Sequence, residues 1–318
     1  MSRPRILLWV NEADVYRDAL ARAGLADRVA FDAARVDVEP PPDVLAAADA
    51  MLAWRAAPGL IARMPNLSWI QAMTAAAEDW LARDDLRPGL TLTCARGVHR
   101  VSMPENILAA LFGLTKPLAA CALDQVHSRW TRRVSEPLAG KTLGILGLGT
   151  IGREVALKAA ALELVVIGTR RTPEPVSGVA RVYPPEATDE VLAQSDFVLL
   201  LMPVTRETRD FMSAARFRAM RPTAYLLNFA RGALVVDDDL IQAVRARTIA
   251  GAVLDVFRRE PLPPEHPFWT TPSITVLPHI GGLHPQRDDL VAGLFVDNVE
   301  RFLAGRPLRA VVDRARGY

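Results

Sequence analysis

Three segments in the second half of the chain each carry a residue type suited to handling a carboxylic acid beside a carbonyl. NFARGALV sets Arg231 behind an apolar run, with Gly232 after it. LDVFRREPL sets Asp255 in the end of another apolar run and Glu260 in the turn beyond. LPHIGG sets His279 after Pro278 and ahead of Gly281 and Gly282. One cation, one carboxylate and one imidazole suffice to reduce a 2-oxo acid, since together they bind the acid, polarise the carbonyl and supply a proton. Each residue also has an ordinary reading: Arg231 as a structural cation, His279 as a satisfied core histidine, and Glu260 as a counter-charge to Arg258 and Arg259. A charge between an apolar run and a glycine is costly unless partnered, and the occurrence of all three favours chemistry.

Such a reaction needs a reductant, and GKTLGILGLGTIGREVALKAA offers a place to bind one. Gly147, Gly149 and Gly152 form GxGxxG directly after an apolar run and directly before a helical one, which is the context of a dinucleotide-binding turn. Gly147 permits the tight turn, Gly149 lets the backbone approach a pyrophosphate, and Gly152 lets helix and strand pack closely. The amides of Thr150 and Ile151, at the helix N-terminus, would face the phosphates. An acidic residue about 20 positions further on would point to NAD. Instead the run LVVIGT ends at Thr169, and Arg170 and Arg171 follow, with Arg170 lying 18 residues after Gly152. A guanidinium cannot accept from a ribose hydroxyl but pairs with a 2′-phosphate through two parallel hydrogen bonds. NADP(H) is therefore the favoured cofactor and NAD(H) the alternative; the Thr169 hydroxyl suits either. The plain alternative is that both arginines are surface charges, because lysine occurs only at 116, 141 and 158 and arginine carries nearly all the positive charge.

The elements that must position these residues are legible as alternation. In the first hundred residues, RILLWV, VAFDAA, AMLAW and LSWIQA alternate with Ala-rich helical stretches, which predicts a small parallel α/β domain. Pro40, Pro41 and Pro42 mark a loop before a helix near Asp43. ENILAALFGLTKPLAACALDQV reads as one long helix crossing between domains, with Pro104 in its first turn. TLGILG, LVVIGT, FVLLLMP, AYLLNFA, AGAVLDV and ITVLPHI follow. Val/Ile/Leu runs of this kind fit strands covered on both faces, hence a doubly wound sheet. DDLVAGLFVDNVERFLAG is an amphipathic helix expected to fold back on the first domain.

With 318 residues, half of them hydrophobic and 23% charged, the chain can bury a large core in two domains. A net charge of +2 without a dense basic tract argues against a nucleic-acid surface. The apolar run at residues 6–10 is too short for a signal peptide, and no later run has spanning length, so no membrane association and a cytoplasmic location are expected. Cys94 and Cys121 fit reduced thiols. His99, His127 and His284 lack carboxylates at useful spacing, and His266 is expected to help its loop pack with Trp269. No histidine pair has metal-ligand spacing, so a metal-free reaction is expected.

GLGTIGREVA, MPVTRET, NFARGALV, LDVFRREPL and PHIGG, in this order and at these spacings, resemble the D-isomer-specific 2-hydroxyacid dehydrogenases over essentially the whole chain. The compact members that reduce glyoxylate and hydroxypyruvate are nearest in length and in GTRR. The resemblance implies an α/β fold with a doubly wound Rossmann cofactor domain, residues 102–283, inserted in a smaller flavodoxin-like substrate domain, residues 1–101 and 284–318. It implies that Arg231 holds the substrate carboxylate and carbonyl oxygen, that His279 protonates that oxygen, and that Glu260 accepts from the other ring nitrogen. Asp255 would accept from the nicotinamide carboxamide, and Met202, Pro203, Thr208, Ala230 and Gly281 would be further cofactor contacts.

On the substrate side the resemblance points to Trp54 and Arg55, and to a loop holding Met73, Thr74, Ala75 and Ala76. There the family often has glycines, and alanine offers its N–H without an inexpensive positive φ. Small apolar or hydroxylated 2-oxo acids are the implied substrates, and a homodimer formed through the cofactor domain and the segment around Trp130 is the implied assembly. Two further readings share this pattern: a 3-phosphoglycerate dehydrogenase, and a dinucleotide-sensing binding protein like the C-terminal-binding corepressors.

Overall fold

The computed structural model describes residues 3–317, which form two compact units. One runs up to Val98 and resumes at His284; the other is His99–Leu283.

The first unit is built on five parallel strands: β1 (Arg5–Trp9), β2 (Ala30–Ala34), β3 (Ala50–Ala53), β4 (Trp69–Ala72) and β5 (Thr91–Thr93), in the order β2-β1-β3-β4-β5. β1, β3 and β4 are almost wholly buried, as continuous apolar runs require when both faces of a sheet are covered. One cover is the helix Arg287–Leu303, whose Phe295 stacks on Trp69 with ring centroids 5.7 Å apart and meets Tyr16 edge-on. Inside this core lies a closed polar network. Trp69 Nε1 donates to Thr93 Oγ1 at 2.9 Å, Thr93 Oγ1 donates to Gln71 Oε1 at 2.8 Å, and Asn298 Nδ2 donates to the same Gln71 oxygen at 2.9 Å. Asn298 Oδ1 accepts from the Arg309 amide at 2.7 Å. The network joins β4 and β5 to the last helix and the chain that follows it.

The second unit carries seven parallel strands: β6 (Thr142–Leu146), β7 (Val165–Thr169), β8 (Arg181–Tyr183), β9 (Phe197–Leu200), β10 (Tyr225–Asn228), β11 (Gly251–Leu254) and β12 (Ile274–Val276). Their order is β12-β11-β10-β9-β6-β7-β8. The chain builds outward from β6 through β7 to β8, then returns to the other side of β6 with β9. The strand order therefore reverses between β6 and β9, and in such sheets ligands bind beyond the strand C-termini at the reversal. This is the doubly wound α/β arrangement that the apolar runs predict.

Two predicted features differ. The long helix after Pro104 is two helices, Ser102–Thr115 and Leu118–Val126, and the whole pair belongs to the second unit. Pro117 disfavours a helical residue before it, and Lys116 is accordingly extended, with ψ 130°. β5 and β8 have only three residues each and lack the apolar run that marks the other strands. No single helix among the described residues is long and apolar enough to cross a membrane.

The polar network in the first unit makes a stability prediction. Asn298→Ala removes a fully buried side chain together with its bonds to Gln71 and to the Arg309 amide, at a cost of about 2 kcal/mol. Calorimetry of wild type and variant should show a lower melting temperature for the variant; equal midpoints would show that the network contributes nothing.

Candidate active site

The C-terminal ends of β10, β11 and β12 lie side by side and each delivers one of the residues singled out in the sequence. β10 ends at Asn228, which is buried. Its Oδ1 accepts from the Ala230 amide at 3.1 Å and its Nδ2 donates to the Arg231 carbonyl at 2.9 Å. The side chain thus braces the turn that presents Arg231. Nothing in the sequence marks Asn228, because an asparagine closing a strand is ordinary. Arg231 has extended backbone and is half-buried, and its Nη1 donates to the Ala230 carbonyl at 2.6 Å.

Asp255 directly follows β11 and is 1% exposed. Its Oδ1 accepts from the Ile280 amide at 2.8 Å and its Oδ2 from the Gly281 amide at 2.9 Å. Burial pushes its carboxyl above the usual range, and these two amides pull partly the other way. The carboxamide contact expected of Asp255 would have to share oxygens that already accept from backbone amides. Buried, with both oxygens bound by backbone, Asp255 ties the segment after β12 to the end of β11. Gly281 likewise uses its amide on Asp255.

That tie governs His279, the residue just before the anchored amides. His279 has φ +54°, a conformation that costs a non-glycine residue on the order of 1 kcal/mol or more and persists only where the surroundings enforce it. Its Nδ1 lies 2.6 Å from Glu260 Oε2, while Glu260 Oε1 accepts from the Phe257 amide at 2.8 Å. Glu260 is thus held by its own turn and in turn holds the imidazole. With Nδ1 engaged, Nε2 is the ring nitrogen left to exchange a proton with a bound molecule. His279 is 49% and Glu260 34% exposed at the side chain, so the contact orients more than it stabilises.

The glycine turn sits at the reversal between β6 and β9. Gly147 has φ +114°, and a Cβ on it would lie 2.8 Å from the backbone of Leu201 and Met202. A Cβ on Gly152, inside the helix Thr150–Ala161, would lie 2.4 Å from the Gly147 carbonyl oxygen. Gly149 is different: its φ is −80°, and a Cβ there would meet nothing within 4 Å. Neither backbone conformation nor internal packing demands glycine at 149. The bare backbone at the start of a helix leaves room for a group from outside the chain, as a pyrophosphate requires.

Beyond β7, Thr169 is buried and the Arg170 amide donates to the Tyr183 carbonyl at 2.9 Å. The Arg170 guanidinium pairs with Glu174 at 2.9 Å, four residues on. Arg171 is exposed. Its charge reaches Glu207, whose carboxyl is held below the usual range first by the Thr205 hydroxyl, then by its own amide, Arg206 and Arg171. In the loop after β9, Met202 and Pro203 are half-buried. The Thr208 hydroxyl donates to the Pro203 carbonyl at 2.7 Å and accepts from the Thr205 amide at 2.7 Å. Thr208 therefore closes this loop on itself. Ala230 is buried between β10 and Arg231.

In the other unit, Trp54 and Arg55 follow β3 and are exposed. Trp54 carries the Arg287 guanidinium 4.6 Å from its ring centroid, and Arg287 also donates to the Met73 carbonyl at 2.6 Å. Arg287 opens the last helix, and no local motif marks it among the many arginines. Met73 is a correction: its side chain is in the core with Trp69 and Phe295, and its amide donates to Ala53 at 3.0 Å. Thr74 donates from its hydroxyl to the Ala76 carbonyl at 2.7 Å, Ala75 is exposed, and Ala76 is half-buried. His266 packs its ring on Phe268 at 4.5 Å, where Trp269 was the expected neighbour; the Trp269 indole donates to the Pro263 carbonyl.

Residues 108–281 match the family model described as D-isomer specific 2-hydroxyacid dehydrogenase, NAD binding domain. The chain is 32% identical over 281 residues to glyoxylate/hydroxypyruvate reductase A of Serratia proteamaculans, covering 85% of this chain and 88% of that protein. Among solved structures, it is similar to a D-isomer specific 2-hydroxyacid dehydrogenase from Xanthobacter autotrophicus in complex with NADPH and MES. That match has 30% identity and a TM-score of 0.88, and covers 100% of both chains. It is also similar to the NADPH-dependent glyoxylate/hydroxypyruvate reductase of Sinorhizobium meliloti in complex with NADP and sulfate, at 26% identity and a TM-score of 0.85, covering 99% of this chain and 100% of that one. With its parallel doubly wound cofactor unit and these relatives, the chain belongs to the D-isomer specific 2-hydroxyacid dehydrogenase family and is an NAD(P)-dependent oxidoreductase.

Proposed function

We propose that the protein reduces small 2-oxo acids to D-2-hydroxy acids, with NADPH as the preferred reductant and glyoxylate and hydroxypyruvate as the first candidate substrates. The observation that carries this reading is the 2.6 Å contact of His279 Nδ1 with Glu260, beside the strand end that presents Arg231. When bound, NADPH supplies the hydride that the substrate C2 receives. Arg231 pairs with the substrate carboxylate through a planar, bidentate-capable cation and polarises the neighbouring carbonyl oxygen. His279 gives its Nε2 proton to that oxygen, which becomes the hydroxyl of the product. Glu260 keeps the ring turned so that Nε2 is the nitrogen presented. Asp255 acts through the backbone, by holding the segment that carries His279.

The residues that would hold the dinucleotide are the Gly147–Gly152 turn with the amides of Thr150 and Ile151, and Arg170 and Arg171 for a 2′-phosphate. The relatives from Xanthobacter autotrophicus and Sinorhizobium meliloti, described with NADPH and NADP, support this preference. Glu174 competes with such a phosphate for Arg170, so the pairing is an exchange of partners. We also propose a homodimer. Its support is the run of exposed apolar side chains Leu118, Leu123, Val126, Trp130 and Val134, with Trp130 95% exposed in a segment pinned by Asp124 to Arg129 and Arg133.

Initial rates of reduced-nicotinamide consumption, measured with NADPH and NADH over glyoxylate, hydroxypyruvate, pyruvate, phenylpyruvate and 3-phosphohydroxypyruvate, test the reading. Turnover of the first two with a clear NADPH preference, reversed by Arg170→Asp, is expected. Equal use of NADH would make the arginines surface charges, and turnover confined to the phosphorylated acid would move the substrate class. His279→Gln should lower kcat by about 100-fold or more while NADPH binding persists. Retention of wild-type kcat would remove His279 from the proton transfer.

A further inference from the structure

Arg258 and Arg259 are neighbours in the turn between β11 and Glu260, and nothing in the sequence separates them. In the structure Arg258 sits where four pieces of the second unit meet. Its Nε donates to the Val235 carbonyl at 2.8 Å, and its Nη2 reaches both that carbonyl and the Asp210 carboxylate. Asp237, at the start of the following helix, lies 3.5 Å from Nε. Val235 closes the turn Gly232–Leu234 that begins at Arg231. Asp210 ends the loop after β9, and its amide donates to the Ala233 carbonyl at 2.9 Å.

The two turns also touch through backbone. A Cβ on Gly232 would lie 2.0 Å from the Phe257 carbonyl carbon and 2.3 Å from the Arg258 nitrogen. The turn presenting Arg231 is therefore pressed directly on the turn holding Glu260, and only glycine permits it. Backbone contact alone resists compression without resisting sliding. The Arg258 guanidinium supplies directional hydrogen bonds across the same seam, and it belongs to the residue next to Phe257, whose amide fixes Glu260 Oε1 at 2.8 Å.

We propose that Arg258 is a positioning residue: it locks the Phe257–Glu260 turn to the turn that presents Arg231, and so keeps Glu260 against His279. This rests on the roles proposed for Arg231, Glu260 and His279. The effect is geometric, because a misplacement of about 1 Å in a reacting group costs up to roughly 100-fold in rate.

The test compares Arg258→Met, Arg258→Lys and Arg259→Met as full-length proteins, with kcat expressed per NADPH-binding site so that unfolded protein is not counted. For Arg258→Met, kcat falls by about 10-fold or more while the Kd for NADPH stays within about twofold; Arg258→Lys regains part of the loss, and Arg259→Met matches wild type. Should Arg258→Met fail to fold, Asp210→Ala, which removes one of the guanidinium's partners, lowers kcat in the same direction to a smaller extent. An Arg258→Met kcat equal to wild type, or an equal fall in Arg259→Met, overturns the proposal. A second readout needs no turnover. The low-field imidazole N–H proton signal of the His279–Glu260 contact, assigned by its loss in His279→Gln, disappears in Arg258→Met; an unchanged signal overturns the clamp. Absence of turnover in the wild type would instead count against the proposed function.

Discussion

The arrangement of the candidate site depends on a buried carboxylate binding two successive backbone amides. Asp255 leaves β11 and accepts from Ile280 and Gly281, two residues just past β12. Parallel neighbours in a sheet carry their hydrogen bonds only as far as the ladder runs, and β12 is short. The last backbone bond between the two strands is from the Leu277 amide to the Leu254 carbonyl, at 2.8 Å. The Asp255 carboxylate extends the tie between the two strand ends by several residues, and His279 lies within that extension in a backbone conformation it would not adopt alone. Burial raises the cost of the charged carboxylate, and the paired amides offset part of it. Removing one side of this arrangement would leave either a buried charge or two orphaned amides, so the segment is determined from both directions.

The cofactor turn follows the same economy of position. The order of the seven strands reverses between β6 and β9, and there Gly147 approaches the backbone of Leu201 and Met202. Gly147 and Gly152 answer to contacts within the chain, and Gly149 answers to none. That contrast separates glycines needed to fold the turn from the one that leaves space above it. The strand ends that present Arg231 and His279 lie on the β9 side of the same reversal, and Arg170 on the β7 side. The C-terminal ends of one sheet thus present Arg231, His279, the glycine turn and Arg170.

Much of this was legible in the residues. The Val/Ile/Leu runs of β6, β7, β9, β10 and β11 announce strands covered on both faces, and the turn residues after them announce where side chains emerge. What escaped did so for identifiable reasons. β5 and β8 are held by their neighbours in the sheet and by little of their own sequence. The break at Pro117 was visible as a proline, yet the apolar periodicity on both sides outweighed it. Met73 lies in a loop expected to offer backbone amides to a ligand, whereas its own amide donates to the Ala53 carbonyl. Asp255 shows the limit most clearly. A polar residue near a site is read as facing a ligand, while Asp255 accepts a hydrogen bond at each oxygen from the backbone of Ile280 and Gly281, which only the folded chain brings near.

Hydride transfer to C2 can be followed by the fate of a label. The protein is incubated with hydroxypyruvate and NADPH carrying deuterium at the transferring C4 position, and the product is resolved by chiral chromatography and mass spectrometry. D-glycerate bearing one deuterium at C2 is expected, with the hydroxyl proton drawn from solvent through His279. L-glycerate, or product without the label at C2, would contradict the proposed reduction.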